Sequence, residues 1–364
     1  MTEWGGPTVL ALFAGFGLAF VLVVPYVAVS YRRRGEFGVG RAIVGLAFLV
    51  YCFALVTYTL VPLPVVDAAY CAAHASLRHP VWNPVQFLSD MRQFNTGLLD
   101  NPALRQVLFN VALFVPWGVF ARRFLGWRAA AAIGSGFLVS LTIELTQLTG
   151  VWFLLQCPYR LFDTGDLAAN TLGAAVGVLL APMLWRTPRG QPAPDEPRPV
   201  RTGRRLLGMV LDLVGVTVLG AALVVCVRAV EYLNDPAQLT GQGHPLLDAA
   251  LGTWLPAVVL LLVVPLAGNG ATVGQRAVLL TMVNARGEKP SAVASVVRFL
   301  VGSGGYFVLA GLATATGQPS TLTTWWLVLN VLFVFFTRGH RGLTGLITGL
   351  SVTDARPTRV TVSV

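Results

Sequence analysis

Charge is what this 364-residue chain has least of: Asp, Glu, Lys and Arg make up 12% of it, against about a quarter of an ordinary globular protein. So few ionic groups cannot dress a surface that meets water on every side. With 55% hydrophobic residues and a mean hydropathy of +0.69, the composition excludes a soluble globular domain and predicts an all-α, multi-pass membrane protein. Lysine is nearly missing, one residue among 26 basic ones, which suggests a GC-rich genome. The HExxH, P-loop and GxSxG motifs are missing too, so neither a catalytic motif nor a cofactor or metal site is expected. The two halves show no internal repeat, and the inverted-repeat signature of many transporters is therefore not evident.

What is present in abundance is apolar sequence. Runs long enough to cross a hydrocarbon core of about 30 Å are read near 8–30, 41–61, 104–121, 129–149, 166–185, 206–230, 250–267, 299–316 and 323–337. Nine such spans place the termini on opposite sides, and the positive-inside rule selects the orientation. With the N-terminus outside and the C-terminus inside, 21 of the 26 basic residues fall on the cytoplasmic side, including Arg32, Arg33, Arg34, Arg186, Arg189, Arg204, Arg205 and Arg359. Arg78, Arg92, Arg105, Arg160 and Arg228 remain outside or near the outer boundary. The first run lacks a basic leading region and carries its basic cluster after it, so it reads as a reversed anchor rather than a cleaved signal. The net charge of +10 follows from topology and attraction to anionic headgroups. Its dispersal among short loops argues against a nucleic-acid partner.

Residues 186–203 hold five prolines without apolar periodicity and read as a cytoplasmic linker. They separate a five-span module, residues 1–185, from a four-span module, 204–353, with a cytoplasmic tail at 354–364. The longest outer segment, about 62–103, contains Pro62, Pro64, Pro80, Pro84 and Pro102; within it, Trp82-Asn83-Pro84-Val85-Gln86-Phe87 reads as an interfacial turn. Cys52 and Cys226 fall inside apolar runs and read as small buried residues. Cys71 and Cys157 both fall in outer segments, where an oxidising exterior permits a bridge; two free thiols are the alternative.

Polar groups are gathered in the first module where an apolar protein least tolerates them unpaired. Glu144 and Gln147, three apart, share one helix face near the outer end of the fourth span. Arg160, Asp163 and Asp166 precede the fifth span. The two aspartates alone would be explained as an N-cap and a first-turn acid; Arg160 and Glu144 would not. From Asp166 the spacing runs to Asn170, Gly173 and Gly177 at intervals of four, three and four, a stripe that favours close helix packing. In the third span Asn110 precedes Pro116 and Gly118, and the proline predicts a bend.

In this order, Asn110-x5-Pro116-x-Gly118, Glu144-x2-Gln147 and Arg160-x2-Asp163-x2-Asp166-x3-Asn170-x2-Gly173-x3-Gly177 resemble the VanZ-like family of bacterial membrane proteins over roughly 40–185. The resemblance implies a place in the cell envelope and, through the family's namesake, a theme of low-level resistance to teicoplanin, a lipoglycopeptide. The second module resembles the RDD family over about 203–353. Arg205 and Asp212 match that family's first Arg and Asp, Thr272-x-Gly274 and Arg298 support the match, and Gly345 stands where a second Asp would be. Asp212, two turns into its span, is expected to pair with Arg298 or Arg276. Some RDD-like proteins are linked to ion exchange, and the missing acid weakens that implication here.

The leading expectation is a multi-pass protein of the bacterial cytoplasmic membrane whose first module binds a polar headgroup at the outer leaflet. Its ligand residues would be Glu144, Gln147, Arg160, Asp163, Asp166, Asn170 and Asn110, with Arg160 contacting phosphate through its planar fork. The expected partners are membrane lipids, a lipid-linked cell-wall intermediate or a lipoglycopeptide. Two alternatives stand beside it. One is an ion or proton transporter using Glu144 and Asp212; the other is an envelope enzyme in which the carboxylates perform acid-base or metal-assisted chemistry on a lipid.

Overall fold

The computed structural model describes residues 5–61, 63–93, 97, 100–184, 194–234 and 244–356, with side chains from residue 15 onward apart from that of residue 184. Pro62, Arg186, Arg189, Arg359, residues 186–193 of the proline-rich segment and residues 357–364 of the tail lie outside the described residues. Among the described residues all nine apolar runs are helical, and seven of the helices are long and apolar enough to cross a membrane. These are α1 (Gly5–Arg34), α2 (Val39–Leu60), α5 (Pro102–Arg123), α6 (Ala129–Leu148), α8 (Thr164–Leu184), α9 (Thr202–Asn234) and α10 (Pro245–Ala267). Two short helices, α3 (Ala68–Ala73) and α4 (Gln86–Met91), occupy the loop between α2 and α5, and a single turn, α7 (Gly150–Phe153), follows α6.

The last two runs depart from the expected spans. The eighth is broken into α12 (Ala292–Val301) and α13 (Ser303–Thr316), which meet at 54°. Gly302 makes the break, with φ −94° and ψ −143° outside the helical region. The short α12 is two-faced: Ser295, Arg298 and Phe299 are buried while Val293, Val296 and Leu300 are exposed, as in a helix that lies along an interface. The ninth, α14 (Thr321–Phe336), has 16 residues, short of the roughly 20 that a perpendicular crossing takes. Two further short α-helices are α11 (Val273–Ala277) and α15 (Gly342–Thr348), and two 3-10 turns lie at Ala75–Arg78 and Arg338–His340.

The chain divides into two compact units, one of Met1–Gly17 with Gly40–Gly190 and one of Leu18–Val39 with Gln191–Val364. The division falls inside α1. In the first unit, α5 and α8 pack backbone to backbone: a Cβ on Gly173 would run into the Val111 carbonyl, one on Gly177 into that of Val115, and one on Gly118 into that of Ala174. Small residues at this stripe replace apolar bulk with close van der Waals approach, the main packing force between helices in lipid. Asn101 starts α5 by accepting the N–H groups of Ala103 (3.1 Å) and Leu104 (3.4 Å), with Pro102 at the first helical position, as capping chemistry favours.

In the second unit, Val27 and Tyr31 of α1 join Leu211, Val278, Leu280, Met282 and Leu350 in a buried core. Two strands, β1 (Leu280–Val283) and β2 (Ser351–Asp354), pair antiparallel with Leu280 opposite Asp354. They are a small exception to an otherwise helical protein. Within α10, Pro256 cannot donate to the carbonyl of Gly252, and a turn of π-helix, Ala250–Trp254, precedes it. Gly220 of α9 lies against that same Gly252 carbonyl, so closely that a Cβ would collide with it.

Candidate functional site

The polar residues of the first unit form short links between helices. Glu144 and Gln147, on one face of α6, are 3% and 5% exposed. The Glu144 carboxylate accepts the backbone N–H of Asp163 at 3.0 Å, and the Gln147 amide donates to the carbonyl of Thr59 at 2.7 Å. Asp163 precedes α8 and its Oδ1 accepts the N–H of Gly165 at 2.7 Å, which is N-cap geometry. Burial pushes the Asp163 carboxyl up, the nearby Asp90 adds to the rise, and the Gly165 N–H opposes it. Asp166 does not cap. Its Oδ1 accepts from Asn110 at 2.5 Å and Gln106 at 3.4 Å, both on α5. Asn170 donates to Ser140 on α6 at 2.9 Å, while its own Oδ1 is buried without a partner.

Arg160 differs from these. Its side chain is exposed and donates to the Thr59 carbonyl at 3.1 Å. Glu144, Asp163 and Asp166 lie within electrostatic reach of one another, and Arg160 is felt at both Glu144 and Asp166. Among the described residues no ion pair joins Arg160 to any of these acids. A guanidinium has five N–H donors. Each acid thus accepts from the protein through one oxygen, and the exposed guanidinium spends one of its donors on the Thr59 carbonyl. Among the described residues, no three Asp, Glu, His or Cys side chains are placed to share a metal ion.

The loop that carries Arg160 is fastened on both sides. Cys71 and Cys157 are bridged, with Cα atoms 5.8 Å apart. Val81 forms a parallel bridge to Asp163, its N–H donating to the Phe162 carbonyl at 2.9 Å and its carbonyl accepting from Thr164 N–H at 3.1 Å. Tyr70 reaches the Tyr159 carbonyl at 3.4 Å. Before this loop, Gly150, Val151, Trp152 and Phe153 all have positive φ, a left-handed turn that is costly for a β-branched residue such as Val151.

Gln106 and Ser140 escaped the sequence reading, although each carried a signal. Gln106 lies one turn before Asn110, and Ser140 one turn before Glu144, on the faces already marked. Thr59 left no signal, because what it contributes is a main-chain carbonyl near the end of α2.

In the second unit the expected pairing of Asp212 with Arg298 or Arg276 is not found. The buried Asp212 carboxylate instead accepts the Thr272 hydroxyl and the Gly274 N–H, each at 2.7 Å. These donors stand at the start of α11, where Thr272 and Gln275 form a reciprocal capping box. Oriented N–H groups there satisfy a carboxylate without a cation. Gly274 is required because a Cβ would press into Asp212 and the Gly208 carbonyl. Arg276 donates to the carbonyls of Ala271 (3.2 Å) and Val264 (2.9 Å). The unit's buried ion pair joins Arg204, not Arg205, to Asp354 at 2.7 Å, and Arg356 joins the same acid at 3.1 Å. Asp354 and Arg356, read as tail residues, are thereby built into the unit. The signal for Asp354 was the alternation Ser351-Val352-Thr353.

Residues 48–186 match the family model described as VanZ/LLP1, and residues 199–349 match the RDD family model. No curated protein and no solved structure matches the chain.

Proposed function

We propose that this membrane protein of the cell envelope, a VanZ-like domain followed by an RDD domain, uses its first domain to hold an anionic headgroup at the outer leaflet. The observation that carries the reading is the contrast between Arg160 and its acidic neighbours. Glu144, Asp163 and Asp166 each accept a hydrogen bond from the protein, whereas the exposed guanidinium spends one on Thr59. In this reading the acids, with Gln147, Asn110 and Asn170, build the frame, and Arg160 meets the phosphate of a lipid or a lipid-linked cell-wall intermediate. The Cys71–Cys157 bridge supports an outward-facing site, since such bonds persist in oxidising surroundings. In this reading the protein lies in the bacterial cytoplasmic membrane with its N-terminus outside and C-terminus inside, the orientation that the distribution of arginines favours. Shielding a cell-wall intermediate would connect it with the teicoplanin resistance associated with the VanZ namesake.

The test is capture of phosphatidylglycerol and of an undecaprenyl-pyrophosphate-linked intermediate by the full chain in nanodiscs. Arg160→Ala should abolish capture while leaving the unfolding temperature unchanged, and Arg160→Lys should retain part of it. Undiminished capture by Arg160→Ala would overturn the reading.

A further inference from the structure

Among the described residues of the second unit, two buried cations form no ion pair with an acid. Arg205 is 7% and Arg298 5% exposed. The Nε of Arg205 and one terminal nitrogen of Arg298 are buried with no hydrogen-bond partner. The other terminal nitrogen of Arg298 donates to the carbonyl of Gly270 at 2.6 Å. Both arginines line one cavity of about 40 Å³, together with Asp212, Ser303, Asn330 and Thr344. A water needs roughly 10–15 Å³ by this measure, so the space suits a small ion and little more.

Charge decides what kind of ion. Two guanidiniums and one carboxylate line the cavity, leaving an excess of one positive charge. The carboxylate does not discharge it by contact: the Asp212 oxygens accept from Thr272 and Gly274, and among the described residues neither guanidinium forms an ion pair with them. The neighbouring Arg204 does not enter this balance, being paired with Asp354. A buried unpaired charge is expensive unless a counter-ion reaches it. We infer that the cavity between Arg205 and Arg298 is a site for a small monovalent anion, a halide or a compact oxyanion, held by the free N–H groups of the two guanidiniums. The occupant bridges Arg205 at the start of α9 to Arg298 on the buried face of α12. The site is separate from the headgroup reading of the first domain and stands or falls without it.

The experiment uses the full chain in an uncharged detergent, with gluconate replaced by chloride, nitrate or dihydrogen phosphate at constant ionic strength. A ligand that binds the folded form at free concentration L stabilises it by RT ln(1 + L/Kd), so the unfolding temperature rises with the logarithm of L above Kd, and ³⁵Cl line broadening reads chloride binding to the unmodified protein directly. Anion-specific stabilisation that rises logarithmically and broadening that saturates are expected. Arg298→Gln and Arg205→Gln should each raise the half-saturating concentration at least about tenfold, the loss of one charged hydrogen bond. Stabilisation by phosphatidylglycerol alone, lost in the same two variants, would assign the anion to a lipid headgroup rather than to solution. Absence of anion-specific stabilisation and of saturable line broadening on the unmodified protein, or effects unchanged in a folded Arg298→Gln variant, would overturn the site.

Discussion

The carboxylate of Glu144 on α6 accepts the backbone N–H of Asp163, 3.0 Å away at the threshold of α8. A side chain that holds a main-chain donor is replaceable by any group of similar length that accepts a hydrogen bond. Glu144→Gln should therefore cost little, while Glu144→Ala should cost about 1–3 kcal/mol by leaving a half-buried N–H unmet. Unfolding in mixed micelles separates the two. If the same carboxylate carried a transported proton, Glu144→Gln would abolish flux in proteoliposomes while the fold survived; on the present reading, no Glu144-dependent flux is expected.

Gly173 and Gly177 face the backbone of α5, whereas a Cβ added at Gly134 on α6 would meet nothing within 4 Å. Gly173→Ala should destabilise the first unit by about 1–3 kcal/mol through overpacking. Gly134→Ala should be neutral or slightly stabilising, by at most about 1 kcal/mol. Equal effects at the two positions would show that glycine flexibility, not close packing, matters at the stripe.

What the sequence made legible, and what it hid, divides along a physical line. Helical spacing exposed the Asp166–Asn170–Gly173–Gly177 stripe and put Glu144 beside Gln147, because both are facts about one helix. The location of Cys71 and Cys157 in loops made their bridge conceivable. Contacts made by main chain were invisible: Asp212 finds the Gly274 N–H and Gln147 the Thr59 carbonyl, and neither partner has a letter of its own. Adjacent residues were also beyond reach. Arg204 and Arg205 point about 100° apart on a helix, and only the tertiary fold decides that the first meets Asp354 across 150 positions of sequence. The break at Gly302 was hidden for a related reason, since hydropathy measures apolar length and says little about direction.

Asp354 supplies a pH prediction. Burial pushes its carboxyl up, but hydrogen bonds from Arg204 and from the N–H groups of Arg356 and Arg198 outweigh that, and the net result lies below the usual value. A group with a depressed folded pKa contributes stability that is complete above its unfolded pKa, about 3.9, and is lost as pH falls through the folded value. The unfolding temperature should therefore be insensitive to Asp354 titration from neutrality to about pH 5, then fall on further acidification. Asp354→Asn should lower stability at neutral pH and flatten the acid limb. An unchanged acid limb in that variant would assign the loss to other carboxylates.

The bridge between Cys71 and Cys157 closes a loop with a sequence separation of 86, and Arg160 stands three residues beyond its second cysteine. Reduction should leave α2, α5, α6 and α8 packed, because their contacts are made by glycines and by internal hydrogen bonds away from the sulfurs. It should instead loosen the segment 157–163, which would keep the Tyr70–Tyr159 contact, the Val81 bridge and the bonds of Arg160 to Thr59 and of Asp163 to Glu144 but lose its covalent anchor. Headgroup capture by Cys71→Ser or by reduced protein should thus fall more steeply than its unfolding temperature, since an arginine fork selects phosphate by orientation as much as by charge. Replacement of the free cysteines Cys52 and Cys226 by Ser should leave capture intact. Capture and stability falling in proportion would mean that the bridge supports the fold as a whole and has no particular hold on Arg160.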